Sequence, residues 1–251
     1  MVRLYHVLLG FILIPVGITA ASYFSGNKDS QIISAETPTS TVVSTKSNQD
    51  NIWNNLLVDT PLPPGWKINP CQDKNSLICI SGNAKLLGTV ELKVLPLKTQ
   101  PNFQNMLVNA GIPIDKNINY RSPKYITQVT TALNDWVQNH YNLLAKNNKY
   151  VYDDKLKTAK TADGILFSTY PPQKTQVGKL QGIRYGFAGL KQKGGVHEQH
   201  IGYVAFDGES LYLINTAFDP ALSIAKFEKL ENLSVFQAYL NTLVENLKLP
   251  D

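Results

Sequence analysis

The sequence predicts an α+β fold in which an antiparallel sheet meander is covered by a long helix and by a C-terminal helix. Two observations predict it. Strand-like segments follow one another in the second half of the chain, and glycine-containing turns join the last three of them. Two amphipathic helical patterns flank these strands, and each has an apolar stripe that one face of a sheet can cover.

The N-terminal part of the 251-residue chain has the pattern of an export signal. Residues 1–24 begin with a basic end, continue with an apolar run and finish in small residues, as a secretory signal peptide does. Residues 4–24 are also long enough to cross a bilayer as a retained anchor. Both interpretations stay open, and both predict a domain outside the cytoplasm. The run lacks a cysteine at its end, which argues against a lipoprotein anchor.

A polar segment and one globular domain follow the export signal. Residues 25–52 are rich in Ser, Thr and Asn, which predicts a disordered tether, and residues 53–251 are predicted to form a single α+β domain. The net charge of +5 comes almost entirely from lysine, because the arginines are only Arg3, Arg121 and Arg184. Since nucleic-acid recognition favours arginine, the charge indicates a solvated basic surface and predicts no nucleic-acid partner.

The domain opens with three short predicted strands at residues 65–70, 77–82 and 89–95. In the third strand, apolar and charged residues alternate. The alternation predicts that Val90, Leu92 and Val94 face the core, and that Glu91 and Lys93 face solvent.

Both cysteines of the chain, Cys71 and Cys79, lie in this first group of strands. Cys71 follows the first strand and Cys79 lies within the second, so the two thiols can meet across a hairpin. In an exported chain a disulfide is favoured over a metal pair or a redox switch. We therefore predict that they form a disulfide.

Helices are predicted on either side of the main group of strands. A short helix spans residues 102–111. A long one begins with Ser122 as cap and Pro123 in the first turn, and ends near Asn147. Its predicted apolar stripe comprises Ile126, Val129, Leu133, Trp136, His140 and Leu143.

The meander itself is predicted from four segments at residues 164–170, 180–191, 196–206 and 210–218. A short helix is then expected with Asp219 as its cap. The last helix is predicted from a capping box, Ser234 with Gln237. Its stripe comprises Phe236, Leu240, Leu243 and Leu247.

The order of these elements resembles the PsbP-like fold of extrinsic photosystem proteins and related exported domains. The resemblance covers residues 62–249 and is carried by the segments "LPPGWKI", "GESLYLINTAFDP" and "FQAYLNTLVENLKL", with the long helix before the meander. It implies an α/β/α sandwich in a bacterial envelope or thylakoid lumen, and a role in binding a protein partner or assisting assembly. The pair Cys71 and Cys79 is not part of the family pattern.

Histidines are the most tempting metal ligands in the sequence. His197 and His200 flank Glu198, but this segment alternates as a strand, which sends the two imidazoles to opposite faces. We therefore expect partly exposed strand histidines here and no metal site. His140 falls inside the apolar stripe of the long helix, so we expect a packed histidine and not a proton-transfer group.

Motifs of catalysis are absent from the sequence. Asp153 and Asp154 are adjacent carboxylates that a solvated loop explains. The glycines of residues 189–195 are spaced like a phosphate loop but lack the Lys and Ser/Thr that must follow. No nucleophile elbow or dinucleotide fingerprint occurs. The sequence predicts no catalytic residue and no cofactor, and it favours a non-catalytic protein.

Aromatic residues could line a ligand cleft between sheet and helix, although core packing is the simpler interpretation. Those of interest are Trp66, Tyr185, Phe187 and Tyr203. The predicted function is an exported or membrane-tethered binding or assembly domain. The alternative is an exported hydrolase or small-ligand carrier whose site is built from distant loops, and a cleft with convergent polar groups would favour it.

Overall fold

A computed structural model describes residues 62–72, 76–114, 118–147, 151–153, 158–160 and 164–249. The predictions for residues 1–52 and for Asp154 fall outside these ranges. Within them, no helix combines the length and the apolar character that crossing a membrane requires.

The helices are α1 (Pro101–Asn109), α2 (Ile126–Asn147) and α3 (Leu230–Glu245). The strands are β1 (Trp66–Pro70), β2 (Leu77–Gly82), β3 (Lys85–Pro96), β4 (Val151–Asp153), β5 (Thr158–Lys160), β6 (Ile165–Thr169), β7 (Gln173–Val177), β8 (Leu180–Lys191), β9 (Val196–Phe206), β10 (Ser210–Phe218) and β11 (Lys226–Phe227). A short 3-10 turn at Leu97–Thr99 leads into α1.

Hydrogen bonds join the described strands into one sheet with the order β1-β2-β3-β11-β10-β9-β8-β6-β5-β4, and β7 pairs with β8 beside this row. Its pairs are antiparallel except that β11 runs parallel to β10. Strands β8, β9 and β10 form a meander with the bounds that the sequence predicts. The α+β fold class is therefore confirmed.

Helices cover the two faces of the sheet, as predicted. Because side chains alternate along a strand, neighbouring residues of β9 serve opposite cores. Tyr203 packs in the core under α3, whereas Val204 packs in the core under α1 and α2. The predicted apolar stripe of the last helix is buried in the core under α3: Phe236, Leu240, Leu243 and Leu247.

The start of α2 and the face that it buries differ from the prediction. The helix begins at Ile126 because residues 121–125 form turns, in which Ser122 accepts a hydrogen bond from the Tyr125 N–H at 2.8 Å. Ile126 and Leu143 of the predicted stripe are exposed. Val129 and Leu133 of that stripe are buried as predicted, and Ala132, Val137 and Tyr141 are buried with them in the same core.

The predicted helix after Asp219 is wrong, as is the capping box of the last helix. Asp219 instead closes a turn, in which its Oδ1 accepts a hydrogen bond from the Ala221 N–H at 2.8 Å. The chain then extends as β11 because Phe227 is held flat against Gly88, where a Cβ atom would lie 2.4 Å from its ring. Helix α3 begins at Leu230, before the predicted box, and has no side-chain cap.

Strand β3 also departs from the predicted alternation. Val90 and Leu92 are buried as expected, but Val94 is 44% exposed and Glu91 is only 6% exposed. Glu91 was expected to face water. It does not, because the face of the sheet opposite Val90 and Leu92 is also covered at this point. Its Oε2 lies 2.8 Å from the Lys93 Nζ.

The disulfide between Cys71 and Cys79 is confirmed. The two Cα atoms are 5.0 Å apart, and the bond closes the hairpin of β1 and β2. The hairpin brings the cysteines together because Cys79 pairs with Asn69 in the ladder and the Cys71 N–H donates to the Leu77 carbonyl at 3.0 Å.

Tyr141 fastens α2 to the sheet, and its loss is expected to destabilise the domain. Its hydroxyl lies 2.9 Å from the carbonyl oxygens of Tyr170 and Gly186 and accepts from the Gly186 N–H at 2.9 Å. Burial raises the pKa of Tyr141 to about 12, so the hydroxyl keeps its proton at neutral pH. We expect Tyr141→Phe to lower the free energy of unfolding by about 1–2 kcal/mol in urea titrations, because it leaves buried backbone groups unpaired.

Tyr125→Phe is the matched control for this prediction. Its ring lies at the start of α2 with the Lys124 Nζ 5.1 Å from the ring centroid, and that contact survives the change to phenylalanine. We expect a change within about 0.5 kcal/mol. Equal stabilities of the two variants would contradict the role given to the Tyr141 hydroxyl.

Candidate functional site

A small cleft opens on the face of the sheet that α2 covers. Strands β3, β8, β9 and β10 form its floor, α2 forms one wall, and the segment between β10 and β11 forms another. Its cavity volume is about 40 Å³. The polar or ionisable side chains that line it are Glu91, Lys93, His140, Tyr185, His200, Asn215 and Thr216.

Two acidic side chains converge on His200, which lines this cleft. The His200 Nε2 lies 2.9 Å from the Glu198 Oε2 and 3.6 Å from the Asp219 Oδ2. One ligand atom from each residue lies within 4.8 Å of the others. The three side chains are only 12–13% exposed. We call Glu198, His200 and Asp219 the carboxylate–histidine cluster.

The sheet register assembles this cluster. Glu198 and His200 are two residues apart on β9, so their side chains lie on the same face. Strand β10 pairs antiparallel with β9, with Ala217 opposite His200 and Phe218 opposite Gln199. Continuing this register by one residue brings Asp219 opposite Glu198.

Strand β8 provides the space and the stacking surface that the cluster needs. A Cβ atom at Gly189 would lie 2.9 Å from the Glu198 Cγ, so a larger residue there would push the carboxylate away. The His200 imidazole stacks on Phe187 with ring centroids 4.2 Å apart and an interplanar angle of 14°. The His200 ring is therefore held by Phe187 against its face and by the Glu198 carboxylate at its Nε2.

His140 reaches the same cleft from α2. Its ring stacks on Trp136 at 5.2 Å and meets the edge of Tyr185 at 5.6 Å. Burial, and secondly the charge of His200, lower the pKa of His140 to about 4. His140 is therefore a neutral imidazole at neutral pH, as the expectation of a packed histidine implied.

Tyr185 and Asn215 complete the floor of the cleft. The Tyr185 hydroxyl donates to the Asn215 Oδ1 at 2.9 Å, and burial raises the pKa of Tyr185. Gly202 makes room for this pair, because a Cβ atom there would lie 2.4 Å from the Tyr185 Cζ.

The aromatic residues singled out in the sequence separate into two groups. Tyr185 and Phe187 line the cleft. Tyr203 does not, because it lies on the opposite face, where its hydroxyl donates to the Asn241 Oδ1 of α3. Trp66 is also in that core and stacks on Phe236.

The histidine prediction was right about the strand and missed the partners of His200. His197 occupies a bulge, since Glu198 pairs with Gly189 and Val196 with Leu190, and it is not in the cluster among the described residues. A signal was present in the spacing of two between Glu198 and His200. Asp219 could be added only from the strand register. Of the glycines in residues 189–195, Gly194 and Gly195 lie at a hairpin tip with positive φ, whereas Gly189 lies within β8.

The groups at and beside the cleft include donors that a cation can bind. Besides the Tyr185 hydroxyl, the polar lining residues named above carry the hydroxyl of Thr216. The Thr216 Oγ1 donates to the Thr89 carbonyl at 2.7 Å. Both cysteines are bonded to each other. Two carboxylates and one imidazole are groups that divalent cations bind.

Comparisons with known proteins give a weak likeness of fold. No family model matches the chain, and no curated protein matches it. Among solved structures, the chain is similar to cyanobacterial PsbP (CyanoP) from Synechocystis sp. PCC 6803. The likeness covers 74% of this chain and 82% of that chain at 7% identity, with a TM-score of 0.35. It is a partial resemblance of fold.

Proposed function

We propose that this protein is an exported domain that acts by binding and not by catalysis. The observation that carries the proposal is the disulfide between Cys71 and Cys79, because structural disulfides persist in oxidising compartments outside the cytoplasm. The apolar run of residues 4–24 supports the same compartment. The domain would sit on the outer side of a cytoplasmic membrane or in a thylakoid lumen, with residues 25–52 as its tether if the run is retained.

The size of the cleft supports binding over catalysis. Sites for organic substrates usually enclose roughly 300–1,000 Å³, whereas this cleft encloses about 40 Å³. The enclosed space is therefore small for an organic substrate. A protein partner in the same compartment is part of the proposal, and affinity capture from the native membrane would identify it.

A small-ligand carrier is the second candidate function. The observation that favours it is the convergence of Glu198, His200 and Asp219 beside the cleft, which His200 lines. The cleft volume restricts the ligand to an ion or a few water-sized groups. Both candidate functions place the domain outside the cytoplasm, so one test of the compartment serves both.

The redox state of the two cysteines tests the proposed compartment. Protein from unreduced native cells, alkylated before any reductant is added, should carry no label on Cys71 or Cys79. Alkylation after reduction and unfolding should label both and serves as the control. N-terminal sequencing of the same sample should begin near Ala21 or Ser22 if the signal is cleaved, and at Met1 if it is an anchor. Two labelled thiols before reduction, in protein from the cytosolic fraction, would overturn the proposal of export.

A further inference from the structure

We infer that Glu198, His200 and Asp219 form a binding site for one divalent transition-metal ion of the Mn²⁺ or Zn²⁺ class. The site goes beyond the proposed compartment and does not depend on it, since the cluster would bind a metal wherever the protein resides. Four features of the described residues support it: spacing, charge, pre-orientation and donor type.

The spacing of the ligand atoms suits one ion. Ligands about 2.1 Å from an ion stand about 3.0 Å apart at right angles and about 3.4 Å apart in a tetrahedron. The observed separations from the His200 Nε2 are 2.9 Å to Glu198 and 3.6 Å to Asp219. All three ligand atoms lie within 4.8 Å of one another, so local shifts of the side chains can bring them to one ion.

The formal charge of the three groups favours a cation. Two carboxylates carry −2, so the three groups sum to −2 with a neutral His200 and to −1 with a protonated one. Side chains that are only 12–13% exposed gain little screening from water. A divalent ion at the shared position turns this repulsion between carboxylates into attraction.

The ligands are already oriented. The Asp219 Oδ1 is held by the Ala221 N–H at 2.8 Å, which leaves the Oδ2 on the side of His200. The His200 ring is fixed by its stacking on Phe187. Groups held in this way lose little freedom when a metal binds, and such supporting contacts raise affinity. The adjoining cavity of about 40 Å³ has room for water to complete the coordination.

The donor set selects the class of metal. One imidazole with two carboxylates suits first-row transition-metal ions, among them Mn²⁺ and Zn²⁺, whereas Ca²⁺ and Mg²⁺ prefer oxygen ligands alone. His140 lies on the wall of the same cleft as a second neutral imidazole. We assign it no coordination bond, since it is not among the groups that converge within 4.8 Å.

Calorimetric titration of the full chain tests the site. The protein is expressed without an affinity tag, solubilised in mild detergent and stripped of metal with EDTA, and ZnCl₂, MnCl₂, CaCl₂ and MgCl₂ are then titrated separately. We expect one equivalent of Zn²⁺ or Mn²⁺ to bind, at least about 10-fold more tightly than Ca²⁺ or Mg²⁺. His200→Gln and Asp219→Asn should each weaken that binding by at least about 100-fold.

His197→Gln is the matched control, because His197 lies on the same strand, in the bulge, outside the cluster. It should bind as the unchanged protein does. Far-ultraviolet circular dichroism checks that each variant is folded, and Glu198→Gln replaces any variant that is not. Absence of binding at millimolar metal, or equal affinities of the cluster variants and the His197 variant, would overturn the assignment. Neither result would bear on export, which the alkylation experiment decides.

Discussion

Lowering the pH from 7.5 to 5 is expected to reduce the free energy of unfolding by about 2 kcal/mol through His140 alone. The pKa of His140 is lowered to about 4 by burial, and secondly by the charge of His200. In the unfolded chain the pKa of a histidine is about 6.5, so the unfolded state binds the proton more readily. The contribution of His140 is therefore fully present above pH 6.5 and is lost as the pH falls toward 4.

Urea titrations at the two pH values, in buffer with EDTA, measure this effect. His140→Phe keeps a ring to stack on Trp136 but cannot take up a proton. Because carboxylates also titrate in this range, the informative quantity is the difference between the unchanged protein and the variant. That difference should shift by about 2 kcal/mol between pH 7.5 and pH 5 in favour of the variant. A difference that is the same at both pH values would show that His140 is not held neutral by the fold.

Replacing both Cys71 and Cys79 by serine is expected to lower the free energy of unfolding by about 2–3 kcal/mol. The bond joins residues separated by 8 positions, and in the chain-entropy model a loop of that size restricts the unfolded chain by this amount. The same bond also closes the hairpin at the edge of the sheet, where β1 pairs only with β2 in the strand order.

Urea unfolding without reductant compares the double variant with the unchanged protein. Adding reductant should bring the unchanged protein down to the stability of the variant and leave the variant unaffected, which makes reductant the internal control. A loss below about 1 kcal/mol would mean that the hairpin does not need its crosslink. The folded domain itself should survive, because the two cores under α3 and under α1 and α2 do not include either cysteine.

Strand positions could be predicted where the signal is local. The bounds of β8, β9 and β10 agree with the sequence because alternation and glycine turns are properties of short segments. The predicted helix after Asp219 failed because the contact of Phe227 with Gly88 joins residues far apart in the chain. Glu91 was misplaced for a related reason, since the cover over the second face of the sheet comes from other elements.

The candidate site shows the same division between local and distant signals. Glu198 and His200 are visible in the sequence as a pair on one strand, and Tyr185 and Phe187 alternate on the next strand. Asp219 joins them only because β9 and β10 pair in one register, which no local pattern fixes. The expectation of no metal site followed from treating His197 and His200 as the candidate pair of ligands. The cluster pairs His200 with the acids Glu198 and Asp219.

The position of a bound ion is the most direct test of the carboxylate–histidine cluster. Crystals of the EDTA-treated protein, soaked separately in MnCl₂ and ZnCl₂, would be measured at the absorption edge of each metal. We predict one anomalous peak within about 2.0–2.3 Å of the His200 Nε2 and of a carboxylate oxygen of Glu198 and of Asp219. Peaks only at surface histidines or at lattice contacts, with the cluster unoccupied at saturating metal, would contradict the inference.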